Sequence, residues 1–175
     1  MTSQCSDSSA HDQRLAHQQR IAGRRRARRL ALQALYAMDI SDRTAAEVSA
    51  EFEAQQDFAK ADTAYFRRLL LGVESMRLEI DAALAPYLDR SIASLTPVEL
   101  SILRMATLEL RAQIDVPYKA VINEAVNLAA KFGADQSFKF INGVLDRAAR
   151  EIRIHEQPEK AERKEQTYRD AMTVY

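Results

Sequence analysis

An all-α fold is what this sequence predicts, on three observations. Glycine and proline occur only four times each, so little interrupts a helix, while the strong helix formers Ala, Leu, Arg and Glu are abundant. Large apolar residues recur at helical spacing over most of the chain. Nowhere do they alternate convincingly with a period of two, and no internal repeat is visible. Together these features predict one domain of about six or seven helices, with a real core and polar tails.

Residues 1–23 are rich in Ser, Gln, His and Asp, with little to bury, and are expected to be disordered. A first helix is expected over Arg24 to Met38, with Ala31, Ala34, Leu35 and Met38 on one face. Ser41 to Thr44 reads as a turn, and a second helix near Ala45 to Gln55 turns Val48 and Phe52 inward. The third, about Ala61 to Leu84, carries a continuous stripe of Phe66, Leu69, Leu70, Val73, Met76, Ile80 and Leu84 and ends at Pro86.

Thr96-Pro97-Val98-Glu99 is a helix start: Thr96 caps, Pro97 suits the first helical position, and Glu99 closes a capping box. The helix that follows is apolar nearly all round and should be the most buried. Tyr118 to Phe132 forms the next, stopped by Gly133 as a left-handed cap. The last, about Gln136 to Ile152, buries Phe138, Ile141, Leu145, Ala148 and Ile152, with Asp135 or Ser137 as its cap. Residues 156–175 are a charged tail. The folded domain is thus expected over residues 24–155.

The chemistry of catalysis is missing from the pattern. The three histidines, His11, His17 and His155, lie in the expected tails, so neither a His-based triad nor a metal cluster can form in the core. No glycine-rich phosphate loop is present, and acids such as Glu79 and Asp81 are placed on the solvated side of their helix. The single cysteine, Cys5, excludes a disulfide framework. No apolar run reaches the ~20 residues that span a bilayer, and no secretory signal is seen, so a non-enzymatic cytoplasmic protein without cofactor or metal is expected.

The positive signal is charge. Between Gln13 and Met38 lie seven arginines (Arg14, Arg20, Arg24, Arg25, Arg26, Arg28 and Arg29) and no acid. The chain is neutral overall, so this basic arm is attached to an acidic body. Guanidinium forks pair with phosphate and stack on unpaired bases, which points to nucleic acid, and single-stranded RNA suits them better than a duplex groove.

Two further stretches stand out. In Ile122-Asn123-Glu124-Ala125, with Asn127 one turn on, polar residues among apolar ones read as ties or caps between helices. In Lys131 to Leu145, Phe140 lies about 100° off the apolar face of its helix, beside Lys139 and a helix N-terminus. It reads equally as a base-stacking platform or as a boundary core side chain.

These stretches resemble the NusB family of bacterial transcription antitermination factors. The resemblance rests on Arg24-Arg25-Arg26-Ala27-Arg28, Gln33-Ala34-Leu35-Tyr36, Tyr65-Phe66-Arg67, Pro86-Tyr87-Leu88, Asp115-Val116-Pro117-Tyr118-Lys119, Ile122-Asn123-Glu124-Ala125 and Lys139-Phe140-Ile141-Asn142-Gly143-Val144-Leu145. They occur in the family's order from about Arg24 to Ile152. The resemblance implies helices in two packed bundles and a function of binding the boxA element of nascent RNA with NusE, a small-subunit ribosomal protein. It further implies joining RNA polymerase and other Nus factors, notably on ribosomal RNA operons. RNA contacts are implied for Arg24, Arg25, Arg26, Arg28, Tyr87, Arg90, Gln136, Lys139 and Phe140, and NusE contacts for Tyr36 and Glu99. Relatives often carry an acid where Gln136 stands. A homodimer could use the same apolar surface as NusE. The alternative is the similar helical domain that precedes certain RNA cytosine methyltransferases, here with a non-specific basic anchor; the stretch after Ile152 is too short for their catalytic domain.

Overall fold

The computed structural model describes residues 4–156, and among them helix is the only regular secondary structure. The helices are α1 (Gln4–Ser41), α2 (Ala45–Glu53), α3 (Thr63–Ser75), α4 (Arg77–Leu84), α5 (Pro97–Ala112), α6 (Tyr118–Phe132) and α7 (Ser137–Ile152). Short 3-10 turns cover Gln56–Lys60, Ala85–Tyr87, Ile92–Ser94 and Ile154–Glu156. Apart from Glu156, the expected charged tail lies outside the described residues.

The chain divides into two compact units at Ser75/Met76. In the first, α1 packs on α3 and α2. Its core is built on Ala27, Leu30, Ala31, Ala34 and Leu35 from α1, Val48 from α2, and Phe66, Leu69, Leu70 and Val73 from α3. Phe66 is the aromatic centre: Phe58 meets its ring edge-on at 4.9 Å and Phe52 stacks at 6.2 Å. Thr44 caps α2, and Glu47 closes a capping box there that the sequence reading passed over.

Helix α1 begins at Gln4 rather than near Arg24. Nothing between Gln4 and Ser41 is proline and only Gly23 is glycine, so the local preference is helical throughout. Residues 11–22 are nevertheless exposed at every position, so tertiary packing gives this segment no support.

The long third helix expected from the sequence is two. Its apolar stripe is continuous in register, yet Met76 leaves helical geometry (φ −109°, ψ 19°) and separates α3 from α4. The two halves of the stripe fill different cores: Phe66 to Val73 belong to the first unit, and Ile80 and Leu84 to the second. Locally the break falls where helix preference is weak, after Gly72 and at Ser75, whose hydroxyl donates back to the Gly72 carbonyl at 3.3 Å.

In the second unit, α5 is surrounded by α4, α6 and α7. Every residue from Ser101 to Leu110 is buried, as its all-round apolar pattern requires. The capping box at Thr96 and Glu99 is present. Asp81, expected on a solvated face, instead holds Arg104 of α5 through two 2.8 Å hydrogen bonds, a fork that ties α4 to α5. Arg153, only 1% exposed, donates to the carbonyls of Leu110, Glu109 (3.0 Å) and Gln113 (2.8 Å) and to the Glu156 carboxylate. It therefore caps the C-terminal end of α5 with positive charge. Asn123 and Asn127 face solvent, so they do not tie helices together in the way their apolar setting suggested.

At the α6–α7 junction Gly133 is extended (φ −80°, ψ 170°), not left-handed. Glycine is required there by space: a Cβ would lie 2.6 Å from the Ala129 carbonyl oxygen and 2.8 Å from Ser137 Cβ. The left-handed residue is Gln136 (φ 64°, ψ −1°), which occupies the N-cap of α7 without a side-chain cap. Neither Asp135 nor Ser137 caps that helix: Asp135 accepts from Gln136 Nε2 at 3.1 Å, and Ser137 donates to Glu99.

Candidate nucleic-acid interface

Each unit carries its own part of the implied site. In the first, the arginine run is not one uniform surface. An α-helix turns 100° per residue, so consecutive arginines point in different directions and meet different neighbours. Arg25 is exposed, Arg24 and Arg26 are half-buried, and Arg28 is 5% exposed. Arg28 donates to the buried hydroxyl of Tyr65 at 2.9 Å and lies 5.1 Å from that ring's centre. Arg24 and Arg68 approach the same ring at 4.7 and 5.5 Å. Tyr65 itself is held at the start of α3, where its N–H donates to Asp62 Oδ1 at 2.9 Å. Asp62 also lies 3.9 Å from the Arg24 Nε.

Arg28, for which the resemblance implies an RNA contact, is thus packed against Tyr65 in the core. Its guanidinium faces a remote aromatic ring that arginine spacing does not encode. Tyr65 is the residue that sequence reasoning quoted without a role, and its only signal was the Tyr-Phe-Arg context at a helix start.

The second unit gathers residues that are remote in sequence. Arg90, exposed in the loop before α5, lays its guanidinium 4.6 Å over the ring of Phe140 from the first turn of α7. Phe140 is half-buried, Lys139 and Gln136 are exposed beside it, and the left-handed Gln136 marks the turn into the helix. A hydrogen bond to Asp89, at 2.9 Å, orients Arg90 and raises its pKa further. Part of the Phe140 ring is therefore packed, and the Arg90 guanidinium lies over it.

Tyr87 is more restrained. Its hydroxyl donates to Glu151 Oε2 at 2.8 Å, and its carbonyl accepts from Arg147 Nη2 at 2.6 Å. Burial first, and then the bond to Glu151, raises the phenol pKa, so Tyr87 stays a neutral donor. Glu151 and Arg147 were missed by sequence reasoning, because both read as solvated positions of an amphipathic helix.

Tyr36 and Glu99, the implied partner contacts, differ in kind. Tyr36 is 42% exposed, and Ile40, one turn on along α1, is 65% exposed, so the two form an apolar face on the first unit. Glu99 is 8% exposed. Its Oε2 accepts from the Thr96 N–H (3.1 Å) and hydroxyl (2.9 Å), and its Oε1 accepts from the Ser137 hydroxyl at 2.7 Å. Burial alone would raise its pKa. The bonds from Ser137 and Thr96, with the positive field of Arg90, more than offset that and lower it. Glu99 therefore ties the start of α5 to the start of α7.

Among the described residues no cluster of His, Cys, Asp or Glu could hold a metal ion, and no helix is long and apolar enough to cross a membrane. Comparison with known proteins gives a consistent picture. A model of the NusB family matches residues 25–150. The chain is 47% identical over 142 residues to the transcription antitermination protein NusB of Alcanivorax borkumensis, covering 81% of this chain and 95% of that protein. Against the protein of the same name from Proteus mirabilis it is 51% identical over 132 residues, covering 75% and 96%. Among solved structures, T. maritima NusB superposes with a TM-score of 0.68 at 32% identity, over 73% of this chain and 91% of that one. A crystal structure of antitermination factors NusB and NusE in complex with dsRNA gives 0.63 at 26% identity, over 73% and 96%.

Proposed function

This chain belongs to the NusB family, and on that premise we propose that it is a transcription antitermination factor that binds boxA RNA of nascent transcripts together with NusE. The observation that carries the reading is the corner in the second unit. There Arg90 covers Phe140 beside Lys139 and Gln136, combining a stacking surface, cations and an amide donor at one helix start. Such a set suits an unpaired base and its phosphate better than a small metabolite or a reacting bond.

In this proposal the work is divided. Arg24, Arg25 and Arg26 attract and hold phosphate, which gives affinity and speed of encounter but little sequence choice. Phe140, Arg90, Tyr87, Gln136 and Lys139 supply choice through stacking and hydrogen bonds to base edges. Gln136 can both donate and accept, unlike the acid often found there in relatives, so it can meet either edge of a base. The apolar face at Tyr36 and Ile40 receives NusE, and the assembly then joins RNA polymerase and other Nus factors on ribosomal RNA operons. Acting on nascent RNA places the protein in the bacterial cytoplasm, and its activity is binding, not catalysis.

The test is filter binding of boxA RNA and a scrambled strand, with and without NusE, at two salt concentrations. The expected result is a preference for boxA that NusE strengthens, with affinity falling steeply as salt rises. Equal affinity for both strands in the presence of NusE refutes the reading.

A further inference from the structure

We infer that Arg147 and Glu151 of α7 are positioning residues for the corner in the second unit: they clamp residues 87–90 along the helix, and so set the Arg90 guanidinium on the Phe140 ring and fix the choice of base made there. The inference rests on the proposed RNA-binding function and deepens it. Arg90 stands in residues 88–91, which have no regular secondary structure. Its 2.9 Å bond to the adjacent Asp89 orients the side chain within its own loop, but does not join that loop to α7.

The joining bonds come from α7. Phe140, Arg147 and Glu151 stand at i, i+7 and i+11, which at 100° per residue places them within about 40° of one another around the axis. They form one stripe about 16 Å long at ~1.5 Å per residue. The loop meets this stripe in reverse order. Glu151 Oε2 accepts from the Tyr87 hydroxyl at 2.8 Å, Arg147 Nη2 donates to the Tyr87 carbonyl at 2.6 Å, and the Phe140 ring lies 4.6 Å from the Arg90 guanidinium. Tyr87 is thus held by its side chain and by its backbone. Three residues of chain reach at most about 11 Å, so a fixed Tyr87 confines the Arg90 backbone to that radius. Arg147 acts on the loop a second time: the Asp89 pKa is lowered first by the bond from Arg90, and to a lesser extent by the charge of Arg147.

The clamp bears on choice more than on affinity. Stacking on an aromatic face tolerates any base, whereas a hydrogen-bond donor discriminates between base edges only when its position is fixed. Arg90 is exposed and long, so an untethered loop would spread its guanidinium over many rotamers. Arg147 and Glu151 are exposed as well. Their loss therefore leaves the core of the unit intact, and its effect is read at the corner.

The test uses the full chain with Arg147→Met and Glu151→Ala combined, which removes the donor and the acceptor while keeping helix preference. Melting should shift by no more than about 4 °C. Without RNA, the side-chain protons of Arg90 in wild type should show the upfield NMR shift that an aromatic face imposes, and the double variant should lose it. With NusE present, the preference for boxA over a scrambled strand should narrow about tenfold. Scrambled RNA should bind within about twofold of wild type, with an unchanged salt slope. In an Arg90→Gln background the same double substitution should narrow the preference by less than about twofold, because the two act through Arg90. Arg90 signals that the double substitution leaves unchanged overturn the inference. So does an equal loss on both strands with a salt slope lower by about 0.7–0.9, which would make Arg147 a phosphate contact in its own right. A cost in the Arg90→Gln background as large as in wild type has the same consequence, as does a boxA preference that survives the loss of the Arg90 shift. Wild type that shows no preference for boxA even with NusE refutes the antitermination reading, and the Arg90 signals then still decide whether Arg147 and Glu151 hold the guanidinium on the ring.

Discussion

Replacing Arg28 separates two uses of arginine within a single run. Arg28 is 5% exposed, donates at 2.9 Å to a buried tyrosine hydroxyl and sits 5.1 Å from that ring. A buried hydrogen bond from a charged donor contributes about 1.5–3 kcal/mol, and a desolvated cation–π contact up to about 2 kcal/mol. The two share one geometry and do not add fully, so Arg28→Gln should lose roughly 2–4 kcal/mol. At about 2–4 °C per kcal/mol for a chain of this size, the melting temperature should fall by roughly 5–15 °C. A double-mutant cycle with Tyr65→Phe isolates the pair, with an expected coupling of about 1–2 kcal/mol. Below its melting point the variant should bind boxA within about twofold of wild type with the same salt slope, whereas exposed Arg25→Gln should lower that slope by about 0.7–0.9. The reasoning is refuted if Arg28→Gln melts like wild type and shows the lowered slope, because its guanidinium would then be meeting phosphate.

Three other outcomes follow from the same geometry. Phe140→Leu keeps apolar volume but loses the π-face, so boxA affinity should fall by about 1–3 kcal/mol while scrambled RNA is bound as before; an equal loss on both would reduce Phe140 to a packing residue. Arg153→Met leaves the Glu109 and Gln113 carbonyls and the Glu156 carboxylate without their buried donor, and urea unfolding should show a loss of about 3–5 kcal/mol. A change below about 1 kcal/mol there would show that water replaces the guanidinium. For Glu99, whose folded pKa is lowered, the stabilising contribution is complete above the ordinary glutamate range and is lost as pH falls through the folded value. The stability gap between wild type and Glu99→Gln, followed by chemical unfolding across acidic pH, should therefore be widest near neutrality and narrow on acidification; a gap that widens would reverse the sign.

Much of the fold was legible because helix signals are local. The capping box at Thr96 and Glu99, the buried α5 and the α6 span through Phe132 need only neighbours within one or two turns to be read. Where local signals were consistent but the outcome differed, the deciding contact came from afar. The apolar stripe from Phe66 to Leu84 is periodic enough for one helix, and it breaks at Met76 because its halves enter different cores. Gly133 was readable as a helix end, but its need for glycine comes from the approach of Ser137 and not from a left-handed backbone.

The candidate site shows the same division. Sequence by itself determined the helical class, the family and the presence of a basic arm, since composition, periodicity and motif order are properties of the chain. It also placed Phe140 off the main apolar face of α7. Only tertiary structure decided which arginine is core and which is surface, because five chemically identical side chains from Arg24 to Arg29 are sorted by one ring, Tyr65, delivered by α3. It likewise made Glu99 a tie between two helix starts, and set Arg90 over Phe140. The physical reason is that periodicity states which way a side chain points, while burial and pairing depend on what another segment brings to meet it.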